Sequence, residues 1–491
     1  MQHNGSRGLI SPDLNNFAPR IGFAFRITNK LVMRSGYGIF YGGQENGPFS
    51  NPSPGFNPPF FSSESFAVPC ASPSANPSQL DCSISGALPL NVLAKGFPAG
   101  SLSDPNSPEL YSIDPHLRTP YNQQWHLGLQ YQLPAQTVLD VSYAGSHGLK
   151  LFGFYNGNQA VPTANQAAPT APRRTVHRPF PGAPGPCDLA QDSLGNFIDA
   201  GNCDPVFDVA IATFRSNDIS NYNSLQVRFE KRPTHGLQFE ASYTYSHSLD
   251  DASSASLGSQ NQGDFRFQNN PRLEYGNADF DVRHRFVLSY SYELPFGKDR
   301  AFGRNAGGIL NQIIGNWQVA GITTASTGNW FTPTDIATNL SNSDGGGFVF
   351  SAARPNVVGD PNAKPCLPGT LFNTCAFATN AVLGVFGDAN RNIIRGPGFQ
   401  NWDVSLFKIF PIGEEKRLEF RAEFFNAFNH VNPEFANPNT ISANIATQHG
   451  LDETAALSGC ANGNPNTNCA FGFAQAARDP RFIQFALKFY F

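Results

Sequence analysis

The sequence predicts an all-β fold of about eleven antiparallel strands, and three observations support that prediction. Apolar and polar side chains alternate with a period of two in eleven separate segments. The connections between those segments are alternately short and long. Charged residues make up only 14% of the 491 residues, against about 25% in a typical soluble domain, while aromatic residues reach 13%. The strands therefore have one strongly apolar face, which requires an apolar environment.

The predicted strands can be followed along the chain. Residues 124–133 are the clearest case, because Trp125, Leu127 and Leu129 point to one face while His126 and Gln130 point to the other. A turn at residues 134–136 leads into the next alternating segment, which predicts a hairpin. The full set comprises residues 21–27, 31–41, 124–133, 139–144, 225–230, 237–245, 285–292, 317–325, 402–406, 418–424 and 482–491.

The last predicted strand ends on an aromatic residue. Its sequence FIQFALKFYF places five large apolar side chains on one face, namely Ile483, Phe485, Leu487, Phe489 and Phe491. Leaving such groups in water costs about 1.5–3 kcal/mol each relative to burial. The face therefore needs an apolar cover, which the core of a soluble protein or a lipid bilayer could supply.

The lengths of the connections favour the bilayer. Long connections cover residues 42–122, 147–221, 249–280, 329–400 and 427–480, whereas short ones separate the strands at the opposite end, with residues 295–315 intermediate. This alternation is typical of a transmembrane β-barrel with short periplasmic turns and long external loops. The apolar face would then meet lipid, the polar face would line a lumen, and the protein would lie in the bacterial outer membrane. The alternative, a secreted soluble β-rich hydrolase, is favoured only by the mean hydropathy of −0.30.

The eight cysteines form four pairs of near neighbours, all in long connections. They are Cys70 with Cys82, Cys187 with Cys203, Cys366 with Cys375, and Cys460 with Cys469. A metal site would need clustered Cys and His at ligand spacing, which the sequence lacks. Free thiols stay possible. We interpret the pairs as loop disulfides, which indicates an oxidising compartment.

Other function classes find little support. No run of 18 apolar residues could form a membrane-spanning helix, and the net charge of −4 gives no reason to expect nucleic acid as a partner. A cluster of charged residues at the start of one strand is interpreted as a solvated or lumen-facing ion network: Asp279, Asp281, Arg283, His284 and Arg285. Asp250 and Asp251, beside His247, are interpreted as a loop rim. We therefore expect no enzyme activity, no metal and no cofactor.

Several segments together resemble a known family. They are FAPRIGFAFR from Phe17, LVMRSGYGIFYG from Leu31, DFDVRHRFVLSYSYELPFG from Asp279, GNWQVAGITTASTGNWFTP from Gly315, RGPGFQNWDVSLFKIF from Arg395 and RLEFRAEFFNAFNH from Arg417. These segments resemble the barrel of the Oar-like branch of TonB-dependent receptors. The resemblance implies a large single-chain barrel, a plug domain inside it, and energy supplied through the TonB system. The alternating last strand that ends on Phe491 likewise resembles the signal read by the barrel-assembly machinery.

The sequence departs from that family in ways that shape the expected function. It has no recognisable signal peptide or plug region and about half the expected strands, so residues 1–491 are interpreted as the carboxy-terminal part of a larger barrel. The leading hypothesis is a receptor or transporter that captures an unidentified external ligand. Six charges on polar faces would contact the plug, namely Arg228, Glu230, Glu240, Glu419, Arg421 and Glu423. The alternative is a structural or adhesive surface barrel without transport.

Overall fold

The computed structural model describes the central strands and part of their connections. The described residues are 11–42, 110–156, 189–191, 197–199, 211–253, 271–335, 354–378, 387–413, 415–435, 440–443, 472–474 and 476–491.

Eleven strands form one continuous sheet in chain order. Their bounds are β1 Arg20–Thr28, β2 Leu31–Tyr41, β3 Tyr121–Leu133, β4 Thr137–Asn156, β5 Ile211–Thr234, β6 Leu237–Asp250, β7 His284–Glu293, β8 Trp317–Ser326, β9 Phe399–Ile412, β10 Lys416–Phe425 and β11 Phe482–Tyr490. Each pairs with its sequence neighbour, and every one of these pairings is antiparallel. All eleven predicted strands are confirmed. The structure extends β4 and β5 well beyond their predicted bounds, towards the long connections.

The register aligns the alternating apolar side chains of neighbouring strands on one face of the sheet. One row of direct partners across β2 to β7 consists of Met33, Leu129, Val141, Val227, Tyr243 and Phe286. A neighbouring row on the other face, across β3 to β6, consists of Gln130, Asp140, Arg228 and Ser242. Because directly paired residues of an antiparallel sheet point to the same side, the sheet has one apolar and one polar face.

The two ends of the sheet are connected differently. At the short-connection end, Thr234 pairs directly with Leu237, and the two intervening residues, His235 and Gly236, both have positive φ. That is the backbone requirement of a type I′ hairpin turn, which suits the right-handed twist of the strands. The β7–β8 connection at this end is longer and contains the helix α1, Gly308–Ile314.

The long connections form small structures of their own. Their short strands are Leu110–Ile113, Leu189–Gln191, Phe197–Asp199, Gly276–Asn277, Trp330–Asp335, Asn356–Val357, Phe377–Ala378, Ile394–Arg395, Pro433–Glu434, Thr440–Ala443 and Ala476–Ala477, with single 3₁₀ turns at Pro271–Glu274 and Thr374–Ala376. The eleven-strand pattern did not predict these elements. Leu110–Ile113 extends the main sheet through parallel pairing with β5.

The sheet is open within the part of the chain that the structure describes. β1 pairs only with β2 there, and β11 pairs only with β10, so each has one edge without a strand partner among the described residues. Every residue of β1 is exposed. In the same residues, no helix has both the length and the apolar character needed to cross a membrane.

Candidate functional site at the long-connection end

A small hydrophobic cluster, here called the loop core, holds two long connections together. It consists of Phe331, Phe372, Ala376, Phe377, Ile394 and Phe435. The ring of Phe331 lies edge-on to that of Phe435 at 4.9 Å between centroids, which joins the β8–β9 connection to the β10–β11 connection. The strand Trp330–Asp335 also pairs with Ile394–Arg395 on one side and with Thr440–Ala443 on the other. The core therefore fixes the positions of these two connections relative to each other.

A disulfide closes one segment of the loop core. Cys366 and Cys375 are bonded, with their Cα atoms 6.1 Å apart and nine residues apart in sequence. The backbone N–H of Cys375 also donates to Sγ of Cys366 at 3.2 Å. This pair confirms one of the four predicted disulfides. The other six cysteines, Cys70, Cys82, Cys187, Cys203, Cys460 and Cys469, lie outside the described residues.

Beside the loop core, charged side chains are buried in a connected set that we call the rim network. Its members are the buried residues Asp250, Glu274, Asp281, Arg354, Arg391 and the uncharged Asn392, together with Asp279, whose side chain is 12% exposed. The guanidinium of Arg391 forms an ion pair with the Asp250 carboxylate and lies 3.6 Å from Oδ1 of Asp279. Its Nη2 also donates to the carbonyl of Asp250 at 2.7 Å, and its Nε to the carbonyl of Glu274 at 3.2 Å. Arg391 thus ties the β8–β9 connection to the end of β6.

Further bonds complete the rim network. Arg354 donates from Nη2 to Oε2 of Glu274 at 3.1 Å, and both side chains are almost fully buried. The amide of Asn392 donates to Oδ1 of Asp279 at 2.6 Å. Asp281 accepts from the indole N–H of Trp330 at 2.9 Å. Removing one partner of a buried pair leaves an uncompensated charge and costs about 3–5 kcal/mol. Any rearrangement of the connections that separated these pairs would carry a similar cost, so the network stabilises the connections in this arrangement.

Burial shifts the proton affinity of the carboxylates at this end. Burial raises the pKa of Asp251 to about 6, although the backbone N–H of Ile219, which donates to its Oδ1 at 2.9 Å, acts in the opposite direction. Burial also raises the pKa of Asp279, against the Asn392 hydrogen bond and the charge of Arg391. For Arg391, burial lowers the pKa, but the carboxylates of Asp250 and Asp279 outweigh it and keep the pKa above its ordinary value. The guanidinium is therefore charged at any physiological pH.

The structure divides the charged cluster that the sequence singled out. Asp279 and Asp281 join the rim network, and Arg283 lies 3.5 Å from Asp281. His284 instead contacts Tyr243, whose hydroxyl lies 2.8 Å from Nδ1, and Arg285 is exposed. Of the five residues predicted to form an ion network, Asp279, Asp281 and Arg283 do so, whereas His284 and Arg285 lie outside it. Asp281 is 1% exposed rather than solvated, and Asp250 and Asp251, which were predicted as a loop rim, are each 2% exposed. The long connections fold back over these carboxylates and exclude water from them.

The functional residues that sequence reasoning missed are Glu274, Arg354 and Arg391. Each lies in an irregular stretch with Asn, Pro or Gly close by and with no alternation around it. A charged side chain in such a stretch is usually solvated. Only the packing of separate connections buries these three.

The network has the character of a scaffold rather than a reactive site. Its charges are used in internal pairs, and the described residues contain no group of three or more His, Cys, Asp or Glu side chains arranged to hold a metal ion. What this arrangement can do is present a preformed surface. A rigid surface of this kind loses little conformational entropy when it binds a partner.

The six polar-face charges form two separate groups in the sheet. Nη1 of Arg228 lies 3.4 Å from Oε2 of Glu230 and 3.9 Å from Oε2 of Glu240. On β10, Arg421 forms an ion pair with Glu419, and Glu423 lies directly opposite Gln484. The charges therefore line the polar face of the sheet at two places.

The last strand adopts the predicted alternation. Phe485 is the direct partner of Ala422, and its ring lies over Phe420 with a centroid distance of 6.2 Å. Leu487 pairs with Phe420, and Phe489 with Leu418. Phe491 is 94% exposed and its ring lies 6.1 Å from that of Phe489. The apolar row of β11 thus continues the apolar face of the sheet.

Solved structures with a similar chain path include the outer membrane transporter YddB from Escherichia coli, at 11% identity and a TM-score of 0.40, covering 97% of this chain and 40% of that one. A ferric enterobactin receptor mutant from Pseudomonas aeruginosa has 8% identity, a TM-score of 0.40 and the same two coverages. The ferric preacinetobactin receptor BauA from Acinetobacter baumannii has 10% identity, a TM-score of 0.37, and coverages of 96% and 36%. The chain therefore spans about two-fifths of the length of these proteins.

No curated protein matches the sequence. A family model described as outer membrane beta barrel domain matches residues 1–484, which is nearly the whole chain. That match agrees with the antiparallel sheet, its single apolar face and its alternation of short and long connections. The chain belongs to this outer-membrane β-barrel family, and it lies in the outer membrane of a bacterium.

Proposed function

We propose that the chain is the carboxy-terminal part of a TonB-dependent receptor or transporter, which captures a ligand at its external end. The observation that carries the proposal is the contrast between the ends of the sheet. Long connections of outer-membrane barrels lie outside the cell, and here three of them are joined, the β8–β9 and β10–β11 connections through the loop core and the β6–β7 and β8–β9 connections through the rim network. A barrel that needed only to span the membrane would not require such a preformed external surface.

The charges on the polar face of the sheet favour the proposal of a plug domain inside the barrel. Arg228, Glu230 and Glu240 form a group in which each side chain keeps about a third to a half of its surface exposed. Arg421, Glu419 and Glu423 form the second group on β10, in which Arg421 keeps about a quarter of its side chain exposed and Glu419 is buried. Partly exposed charges on a lumen wall can exchange their partners for those of a plug domain. The proposal places the plug against these six residues.

The open edges at β1 and β11 favour the proposal that the sheet is part of a larger barrel. β1 and β11 both run from the external end to the periplasmic end, so direct pairing between them would be parallel. Bacterial single-chain barrels are antiparallel throughout, and an open edge in lipid costs several kcal/mol for each unsatisfied backbone group. An odd number of further strands, placed upstream of β1, would satisfy both edges.

The last strand fits an assembly signal. Its five apolar residues, Ile483, Phe485, Leu487, Phe489 and Phe491, continue the lipid-facing side up to the final residue. We assign them to recognition by the barrel-assembly machinery. Lipid and that machinery, the TonB system with the plug, and an external ligand are the proposed partners.

Uptake in paired strains tests the transport proposal. The full-length protein is produced in two otherwise identical bacterial strains, one with and one without a working TonB system, and the cells are offered radiolabelled ferric chelates, peptides and oligosaccharides. We expect one class to accumulate only in the strain with TonB. Surface binding of every class, equal in the two strains and without accumulation, would instead favour the structural or adhesive barrel.

A further inference from the structure

One connection at the periplasmic end exposes more apolar surface than a turn requires. The β7–β8 connection, residues 294–316, contains five exposed large apolar side chains: Phe296, Phe302, Ile309, Leu310 and Ile313. Ile309 is 81% exposed and Ile313 is 61% exposed. In helix α1 the apolar residues Ile309, Leu310, Ile313 and Ile314 recur at the spacing of one helical face, with Asn311 and Gln312 between them. Such a patch indicates an interaction surface.

Contacts place this patch on the lipid-facing side of the sheet. Ile313, Phe302 and Trp317 line a groove of about 470 Å³ that also includes Leu406. Leu406 pairs with Ala422 and belongs to the apolar face of β9. A second groove, of about 580 Å³, lies between Ile309, Trp317 and Phe410. The helix therefore lies against the outer wall of the barrel, in continuity with the surface that meets lipid.

The connection is held in this position by specific bonds. The indole N–H of Trp317 donates to the carbonyl of Ile313 at 2.9 Å, and Oδ1 of Asn311 accepts from the backbone N–H of Lys298 at 2.7 Å. The rings of Phe296 and Phe302 lie 5.6 Å apart. Lys408, on the apolar face of β9, donates its Nζ to the carbonyl of Gly315. The apolar side chains are thus presented by a fixed structure.

The charges around the patch suit one kind of partner. The connection carries three cations, Lys298, Arg300 and Arg304, and one carboxylate, Asp299. Arg300 pairs with Glu293 at 3.0 Å. Apolar side chains on one face, flanked by Lys and Arg, are the composition of a segment that lies in a membrane interface. The cations can reach lipid phosphates while the apolar groups enter the acyl region.

We propose that the β7–β8 connection is an interfacial anchor that inserts Ile309, Leu310 and Ile313 into the periplasmic leaflet and binds phospholipid phosphates through Lys298 and Arg304. At this one place on the circumference of the barrel, the anchor extends the contact with lipid beyond the ends of the strands. It does not depend on transport, because it requires only the membrane location of the barrel and the periplasmic position of its short connections.

Depth-dependent quenching tests the anchor directly. Full-length protein carrying Ile309→Cys or Ile313→Cys is labelled with bimane and reconstituted in vesicles of phosphatidylethanolamine and phosphatidylglycerol that contain lipids brominated on the acyl chain. Leu406→Cys gives the signal of a lipid-facing strand, and Asn29→Cys, in the tight β1–β2 turn at the same end, gives that of a water-exposed turn. Protein without an added cysteine sets the background, and heat-modifiable migration confirms folding of each variant.

We expect quenching at Ile309 and Ile313 to match that at Leu406 and to exceed that at Asn29. Quenching at the level of Asn29 would overturn the proposal. Shielding of the label from both bromolipid and aqueous iodide would assign the patch to a second copy of the chain or to another protein, and would equally overturn it.

The phosphate contacts have their own test. With brominated phosphatidylglycerol compared against brominated phosphatidylcholine, the native connection should enrich the anionic lipid by up to about fivefold for each cation. The double variant Lys298→Gln with Arg304→Gln should lose this enrichment and keep the acyl-chain quenching. Unchanged enrichment in the double variant would refute the assignment of these two cations.

Discussion

The connections at the external end and at the periplasmic end differ in how far they bury their apolar and charged side chains. At the external end, long connections bury their own phenylalanines in the loop core and their own charges in the rim network. At the periplasmic end, Ile309 and Ile313 stay exposed, and the ion pair between Arg300 and Glu293 is open to solvent on both sides. The external connections therefore bury their apolar side chains against one another, whereas the apolar side chains of the β7–β8 connection can be buried only by contact with something outside the described chain, such as lipid.

This difference shows that the contribution of an ion pair to stability depends on how deeply the pair is buried. Arg391 and Arg300 are both arginines in connections, but the first is buried among carboxylates and the second is about half exposed. A buried pair is costly to break, while an exposed pair contributes little. Substitutions in the two kinds of pair should therefore differ in how much they destabilise the protein.

The largest loss of stability is expected when a buried arginine is removed from the external end, and an exposed arginine at the periplasmic end provides the comparison. Arg391→Met leaves Asp250 and Asp279 without their shared cation and should destabilise the external end by about 3–5 kcal/mol. Arg300→Met, the matched control, should cost less than about 1 kcal/mol. Limited proteolysis in urea measures both losses, at the external connections for Arg391→Met and at the β7–β8 connection for Arg300→Met. Similar losses for the two variants would contradict the contrast.

The two faces of the last strand should respond differently to one charge. Leu487→Lys places a cation on the lipid face and should cost about 2–4 kcal/mol near the bilayer midplane. Gln484→Lys, three residues away on the polar face, should be tolerated. The urea midpoint of the heat-modifiable band reports the difference. A greater loss for Gln484→Lys would reverse the assignment of the two faces.

The disulfide should stabilise only the external end. Cys366→Ser removes a short closed loop, which is worth about 2–3 kcal/mol in the chain-entropy account. Cys375→Ser should have the same effect, and the double variant should be no worse than either single one. Proteolysis of residues 354–378 is the measurement. An equal drop in the stability of the strands would show that the two ends are not independent.

The final residue tests assembly. Phe491→Ser removes an aromatic side chain whose transfer out of water is worth about 1.5–3 kcal/mol. It should lower the yield of heat-modifiable barrel in the outer membrane of living cells more than Gln484→Ser does. Equal yields would show that the alternation at the terminus has no role in assembly.

The last prediction concerns pH at the external end. Because the folded-state pKa of Asp251 is raised from 3.8 to about 6, the folded form holds its proton more tightly than the unfolded form. The contribution of this group to stability is therefore present below about pH 4 and is lost as the pH rises through 6, on the order of 3 kcal/mol in total. Asp279 acts in the same direction.

Asp251→Asn should reduce this dependence. The urea midpoint for proteolysis of the external connections, followed from pH 4 to pH 7, should fall less steeply in the variant than in the native protein. Parallel curves for the two would exclude Asp251 as the titrating group.

The strands and their faces could be read from the sequence because alternation is a local property. In residues 31–41 the predicted bounds match β2, and in 124–133 the predicted apolar side contains Leu127 and Leu129, as the register confirms. The one confirmed disulfide, Cys366 with Cys375, also joins residues close in sequence. Each of these features is specified within about ten residues.

Only the tertiary structure decided what happens between the strands. Arg391 meets Asp250 across 141 residues, and Phe331 meets Phe435 across more than a hundred. No local pattern indicates such contacts, because in an irregular connection the direction of a side chain is set by the surrounding packing rather than by a repeat. The same holds for α1, whose lipid-side position depends on Trp317, Leu406 and Phe410 from two strands. The sequence by itself determined a membrane sheet with two unlike faces, and the packing of distant segments determined which charges are buried and where the apolar surface continues beyond the strands.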